Sequence, residues 1–517
     1  MKLLDMLGQK VFGVLSGLDR IRFRGTLRGI ADTTGVNMFM SSAGLLLKDF
    51  GTFAATKTEA LRNDCELRAK ELGIPLRYLW SSKEDKEGLA RSIAAERCIE
   101  NGPICLLSVV EPCLSPLVKG NRGTKKLELS MGTRKCIHLY QYFDHPEFGF
   151  GHVRLQTWLP YNVHICLNGR HWLEKQLLMR GMHFCKVGNC FPWVQDVGLA
   201  QELMDAQLAT DWDHLLNSLL LGLSPMIKKT LDPVFTDYYW SADETEYATD
   251  VMFRSATDLD AVFPSLVRHA MLASNSPAVM RFLGRSDNRG VMPDEVISDC
   301  RRRYEGVRVK HWVNENSVKM YNKANSILRI ETTINNTRMF KVFRPREDHP
   351  REKPSWQKMR KGVSDLHRRC EVSAKCNERY ADAMVASKTG EKLLDAAAPV
   401  CKPAIKNGKR VRALNPLKEE DLLLFRFLAD GKLAINGFRN KDLAAFLFGQ
   451  QDKLDEKEKR RRSGKATRLI FMLRAHGLIR KIPKENRYMV TAKGQKLAGA
   501  IIAATTVEIE KLTELAA

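Results

Sequence analysis

The sequence predicts a multidomain protein of the α/β and α+β class. An N-terminal α/β unit covers 1–130, a central α+β region 131–346, a basic linker and helix 347–415, and a C-terminal helical module closed by a β-hairpin 416–517. Three observations predict this. Before residue 125, strand-like and helical runs alternate at the spacing of a parallel α/β unit. Around 318–334 two strand-like runs flank Ala324-Asn325-Ser326, short enough for a hairpin, with an Asn that tolerates left-handed backbone. After 416 three helical runs precede a strand, a turn and a returning strand. At 517 residues the chain has ample core for two to four such units.

The N-terminal alternation is clearest at Leu18-Asp19-Arg20-Ile21-Arg22-Phe23-Arg24-Gly25, where apolar and basic side chains alternate as on a strand. Residues 58–72 read as a helix stopped by Gly73 and Pro75. A short strand at 76–80, a helix at 84–99 and an apolar strand at 104–110, closed by Glu111-Pro112, complete the unit. Asp19 and Glu111 stand at or near strand edges, as nuclease metal ligands often do, although surface and capping carboxylates are commoner. Residues 136–143 and 149–158 flank Asp144-His145-Pro146-Glu147 and predict a hairpin, followed by a strand at 163–167 and a helix at 171–180. Arg154, Gln156, Asn168 and Arg170 are candidate phosphate or base contacts. Tyr140, Tyr142, Phe148 and Phe150 either stack on unpaired bases or fill the sheet core, and core is favoured. Cys185 and Cys190 lie in a Cys- and His-rich stretch but lack a second matched pair, so core thiols are expected rather than structural Zn²⁺.

Residues 196–300 read as mainly helical. Ser241 and Glu244 have capping-box spacing, and the helix they would start puts Glu246 and Asp250 on one face. Facing Glu331, that pair would make an oxygen cage for Mg²⁺ or Mn²⁺. In the run that holds Glu331, Arg329, Glu331 and Thr333 share one face, while Leu328, Ile330, Thr332 and Ile334 share the other. Lys319, Tyr321 and Lys323 share a face of the preceding run. An ordinary hairpin with one wet face explains this pattern as well as a site does.

Asn316-Ser317-Val318-Lys319-Met320-Tyr321-Asn322-Lys323, followed by Leu328-Arg329-Ile330-Glu331, resembles plasmid and filamentous-phage rolling-circle replication initiators. In that family a second-strand carboxylate helps to hold a divalent metal, and a tyrosine attacks DNA. The resemblance implies Glu331, Tyr321 and Lys323 as catalytic residues and Glu331 as a metal ligand, to which the helical-face reading adds Glu246 and Asp250. Tyr304 and Tyr380 are further candidate nucleophiles.

Beyond Arg346, Pro350 and Pro354 block regular structure, 358–380 reads as a basic helix, and 396–416 as a basic tether. An amphipathic helix at 417–428, a second helix capped by Asn440 and a strongly basic third from Glu456 to Leu473 then lead to Gly477. Three helices followed by a hairpin resemble the winged helix-turn-helix family, on Leu473-Arg474-Ala475-His476-Gly477-Leu478-Ile479 and Arg487-Tyr488-Met489-Val490-Thr491-Ala492-Lys493-Gly494. The resemblance implies Lys465 and Arg468 in a major groove, and Arg487 or Lys484 on phosphate from the wing. Arg474, Lys319 and Arg329 complete the candidate nucleic-acid-binding set.

Charge indicates the partner. Lys and Arg number 83 against 60 Asp and Glu, a net +23, which makes nucleic acid the expected partner, DNA first and structured RNA second. No uninterrupted apolar span of 18 residues and no signal-peptide layout is evident, and 12 scattered Cys suit a reducing compartment, so a soluble cytoplasmic protein is expected. Phosphate-binding Gly loops are missing from the sequence, which argues against energy coupling. Two classes remain. One is a mobile-element protein, replication-initiator-like or transposase-like, that nicks phosphodiesters with Mg²⁺ or Mn²⁺. The other is a non-catalytic DNA- or RNA-binding protein, a regulator or ribonucleoprotein component.

Overall fold

A computed structural model describes residues 2–506 except 235, 274–278, 280–281, 284–295, 304–305, 347–350, 385–392, 430–436, 450–454 and 483–484. The fold is mixed α/β, with helix at 43% and strand at 34%. The chain divides into two compact units. One comprises Gly13–Met252 with Glu331–Ala374, and the other Met1–Phe12, Phe253–Ile330 and Lys375–Ala517.

In the first unit, seven strands are ordered β9-β1-β6-β5-β4-β3-β2. They are β1 (Val11–Thr26), β2 (Leu76–Leu79), β3 (Gly102–Asn121), β4 (Lys126–His145), β5 (Gly149–Gln156), β6 (Val163–Asn168) and β9 (Tyr239–Phe253). Between them in sequence, β7 (Phe184–Val187) and β8 (Cys190–Val194) make a separate hairpin. Residues 331–334, the end of β13 (Ile327–Ile334), lie on the far side of β9. The expected parallel arrangement holds for β2 with β3. The ladders β3–β4, β4–β5, β5–β6 and β6–β1 are antiparallel. Strand β3 also runs straight through Glu111-Pro112, where the sequence suggested a stop. Pro112 and Pro116 are tolerated because β2 pairs only Leu106 to Val109, leaving the outer edge of β3 with no ladder to donate to.

The largest departure is β9. The helix expected from Ser241 is a buried strand, and Ser241 Oγ donates to the Arg24 carbonyl at 3.3 Å instead of capping. Thr245, Tyr247, Thr249 and Val251 favour extended backbone, and burial of nearly the whole strand outweighs the capping-box spacing. A second departure is β14 (Lys341–Arg344) pairing with β15 (Ser355–Lys358) in the proline-rich stretch. The helix expected from 358 therefore starts at Leu366 and runs to Met384.

In the second unit, β10 (Val296–Arg303), β11 (Gly306–Val313), β12 (Asn316–Lys323) and β13 follow one another in order. The expected turn is present, with Ala324 at φ 48° and Asn325 at φ 60°. All eight residues of β13 are buried, so it has no wet face. Its C-terminal part has the helices Glu419–Ala429, Asn440–Phe448 and Glu456–Ala475, the hairpin of β18 (Ile479–Lys481) with β19 (Tyr488–Val490), and the helix Ala492–Thr506. Leu424, Phe438, Leu443, Ile470, Leu473 and Leu497 form its core. Val400 and Leu414 join that core, and Arg412 binds Asp421 through both guanidinium branches at 2.7 and 2.5 Å, so the basic stretch before 416 is packed rather than a loose tether. Among the described residues no helix is long and apolar enough to cross a membrane.

Candidate metal centre

Asp19 on β1, Glu246 on β9 and Glu331 on β13 each offer a carboxylate oxygen, all within 4.8 Å of one another. Asp19 and Glu331 are 1% exposed, and the Glu246 side chain 15%. The order β13, β9, β1 explains the meeting, because adjacent strands are only about 4.8 Å apart. Three like charges so close repel strongly unless a cation, a proton or an arginine sits among them. An all-oxygen donor set suits hard divalent ions such as Mg²⁺ and Mn²⁺.

Asp19 is held from two sides. Asn168 Nδ2 donates to its Oδ1 at 3.1 Å, and Asn189 Nδ2 donates to its Oδ2 at 2.5 Å. Asn168 also caps the helix Gly169–Met179, its Oδ1 accepting from the Arg170 and His171 amides. The next residue has to be glycine, since a Cβ on Gly169 would sit 2.3 Å from the Leu18 carbonyl oxygen. Asn189 stands in the β7–β8 turn, after Gly188 at φ +59°. Beside the cluster, Arg20 reaches Glu246 at 3.5 Å and Glu244 at 2.9 Å, and Arg22 reaches Glu244 at 3.3 Å. These two arginine side chains are 57% and 46% exposed.

Of the sequence-nominated ligands, Glu246 and Glu331 come together and Asp250 does not. Positions 246 and 250 lie about 13 Å apart along an extended strand, too far to share an ion, whereas the expected helix would have stacked them. Asp250 instead pairs with fully buried Arg170 at 3.4 Å, and Arg170 donates to the Ala248 carbonyl at 3.0 Å. Arg170 is thus a core residue and no nucleic-acid contact. Arg329 is likewise fully buried and presents no surface to a nucleic acid, correcting its place in that set. Gln156 is buried, bonding the Trp158 and Leu159 carbonyls. Tyr140, Tyr142 and Phe148 are buried, as the core reading expects.

Tyr321, Lys323 and Lys319 lie on β12 in the second unit, with the two ammonium groups 6.0 and 5.8 Å from the Tyr321 ring centre. Tyr380 is sealed in the core, where His311 Nε2 meets its hydroxyl at 3.1 Å and burial pushes its pKa up, so it is no nucleophile. Tyr304 and Lys484 fall outside the described residues. On the helix Glu456–Ala475, Lys465 and Arg468 are exposed, Arg474 lies half-buried 6.0 Å from the Tyr488 ring, and Arg487 stands 3.9 Å from Glu485. Cys185 is exposed while Cys190 is buried and donates to the Val187 carbonyl.

Glu111 belongs to a different cluster. It accepts from Tyr140 at 2.7 Å and Arg154 at 2.8 Å and meets Lys86 at 3.2 Å. Burial alone would raise its pKa, but the Tyr140 hydroxyl and Arg154 outweigh it and hold the carboxyl below its ordinary value. Nearby, burial and then Arg154 push His138 down to about 4 and His164 down to about 3.

Sequence reasoning placed Asp19 at a strand edge without joining it to Glu246 and Glu331, and Asn189 carried no signal at all. A trace existed for Asp19: it interrupts an otherwise apolar and basic alternation. No protein-family model matches the chain, and neither a curated protein nor a solved structure matches it, so the initiator and winged-helix resemblances rest on the quoted motifs.

Proposed function

We propose that this protein binds DNA and cleaves or transfers phosphodiesters with a divalent ion held by Asp19, Glu246 and Glu331, as a replication-initiator-like or transposase-like protein of a mobile element. The observation that carries the reading is the meeting of these three carboxylate oxygens within 4.8 Å. A Mg²⁺ or Mn²⁺ ion there supplies neutralisation of phosphate charge and a more acidic water. The chain's own part is positional. Asn168 and Asn189 fix the Asp19 carboxylate, while Arg20 and Arg22, half exposed and paired with Glu244, would exchange that carboxylate for an incoming phosphate. The net charge of +23 concentrates a polyanion at the surface, and exposed Lys465 and Arg468 offer a reader of the winged-helix kind.

The test is calorimetric titration of Mn²⁺ and Mg²⁺, with a nicking assay, on wild type and Glu331→Gln. Single-site ion binding and ion-dependent nicking, both lost in the variant, are expected. Equal binding and cleavage by both proteins would remove the carboxylate cluster from the mechanism. A parallel Tyr321→Phe protein separates the initiator route, because attack by Tyr321 leaves a covalent protein–DNA adduct that Tyr321→Phe abolishes, whereas attack by water leaves none. A second reading, a non-catalytic binder, is favoured by the Arg20 pair with Glu246, which neutralises part of the cluster without an ion. Tight DNA binding with neither ion binding nor cleavage would select it.

A further inference from the structure

Strands β3 and β4 pair over their whole length, from Gly102 with Asp144 to Asn121 with Lys126. Their flanking strands stop early. β2 pairs only up to Val109, and β5 pairs β4 only from His138 onward. Residues 111–121 and 126–136 therefore continue as a two-stranded ribbon of about 35 Å past the ends of β2 and β5, with Cys113, Ser115 and Cys136 buried along it and the tip around 119–126 exposed.

The far end of this ribbon is cationic. Lys119, Arg122, Lys125 and Lys126 are all exposed, and among the described residues none of them takes part in an ion pair. One carboxylate, Glu128, stands directly across from Lys119. It is occupied by neutral partners: Asn121 Nδ2 donates to it at 2.8 Å and Thr124 Oγ1 at 3.3 Å. Asn121 also closes the turn, its Oδ1 accepting from the Gly123 and Thr124 amides at 2.9 and 3.2 Å. The tip is thus a fixed turn with four cations that form no ion pair among the described residues. Four crowded like charges repel, and a polyanion relieves that repulsion.

We propose that this ribbon is an arm that grips double-stranded DNA through phosphates, with Lys119, Arg122, Lys125 and Lys126 as its contacts. The proposal rests on the nucleic-acid reading above and adds a contact surface to it. A two-stranded ribbon has the width that a B-form major groove admits. Duplex DNA also spaces its charge every few ångströms along a rod, which lets the exposed tip meet several phosphates at once. From Arg134 out to Lys119 the ribbon borders a groove of ≈ 640 Å³ that Lys48 also lines, Arg134 lying 3.7 Å over the Trp158 ring. That places further positive charge along the arm.

The experiment uses full-length protein carrying all four Ala substitutions, Lys119→Ala, Arg122→Ala, Lys125→Ala and Lys126→Ala, beside a second protein with the three lysines changed to Arg. Binding to a labelled duplex is measured across a salt series. The expected result is at least a tenfold loss of affinity in the Ala protein and a salt slope shallower by about 2–4, with the Arg protein like wild type. Unchanged melting would show that the exposed tip can be altered without unfolding the chain. Wild-type affinity and slope in a folded Ala protein would overturn the arm while leaving the DNA reading standing. Loss of binding to single strands or structured RNA alone would overturn the choice of duplex DNA. Failure of wild type to bind any nucleic acid, with retention of an acidic protein instead, would overturn both.

Discussion

Asn168 ties Asp19 to a helix: its Nδ2 donates to Asp19 Oδ1 at 3.1 Å, while its Oδ1 accepts from the Arg170 amide at 2.8 Å. One side chain therefore serves both the cap and the carboxylate. Asn168→Ala should lower divalent-ion affinity by about tenfold and stability by about 1 kcal/mol. Asn168→Asp should keep the cap but place a fourth negative charge at the cluster. The pair is read by ion titration together with urea unfolding. An Ala variant that loses stability and keeps full ion affinity would limit Asn168 to capping.

Asp250 and Arg170 form a buried pair, with side chains 1% and 0% exposed. Asp250→Ala leaves a buried guanidinium uncompensated and should cost about 3–5 kcal/mol. Double replacement by apolar residues of similar volume should recover much of that loss. Chemical denaturation of the two variants checks this. A loss below about 1 kcal/mol in Asp250→Ala would mean that water reaches Arg170.

His138 and His164 set an acid limit. Burial and Arg154 depress both folded values, to about 4 and about 3, against roughly 6.5 in the unfolded chain. Below pH 6.5 the unfolded chain takes protons that the native protein refuses. Stability is thus fully present above pH 6.5 and falls as pH drops, by about 1–2 kcal/mol per histidine at pH 5. Glu111, with its value held low, keeps its contribution throughout this window. Melting followed from pH 7 to pH 5 should show a steeper decline for wild type than for a His138→Gln, His164→Gln protein. Parallel curves would exclude these histidines as the cause.

Lys465 and Arg468 are exposed on one helix, while Asn440 pins that helix through the Ser463 carbonyl at 3.0 Å and Thr467 Oγ1 at 2.7 Å. Replacing both cations by Ala should leave melting unchanged and weaken DNA binding by about 1–3 kcal/mol if they read bases. A competition series over different duplex sequences separates base reading from phosphate contact. An equal loss on every sequence would assign the pair to phosphates.

Elements whose signals are local could be read without coordinates. The Ala324-Asn325-Ser326 turn, the three C-terminal helices and their closing hairpin follow from turn chemistry and helical period, which neighbours in sequence impose on each other. The excess of cations needs only counting, and it pointed to a polyanionic partner without reference to any fold. Tertiary structure decided the rest. Ser241 and Glu244 have a helix-starting spacing, yet the segment is a strand because it is buried in a sheet, and burial outweighs a cap of about 1 kcal/mol. That single change separated Asp250 from Glu246 and delivered it to Arg170. It also set Glu246 between Asp19 and Glu331, residues 312 positions apart in the chain. Alternation can say which side of a strand a residue takes, but strand order determines which carboxylates meet, and that order depends on long-range pairing that no short window contains.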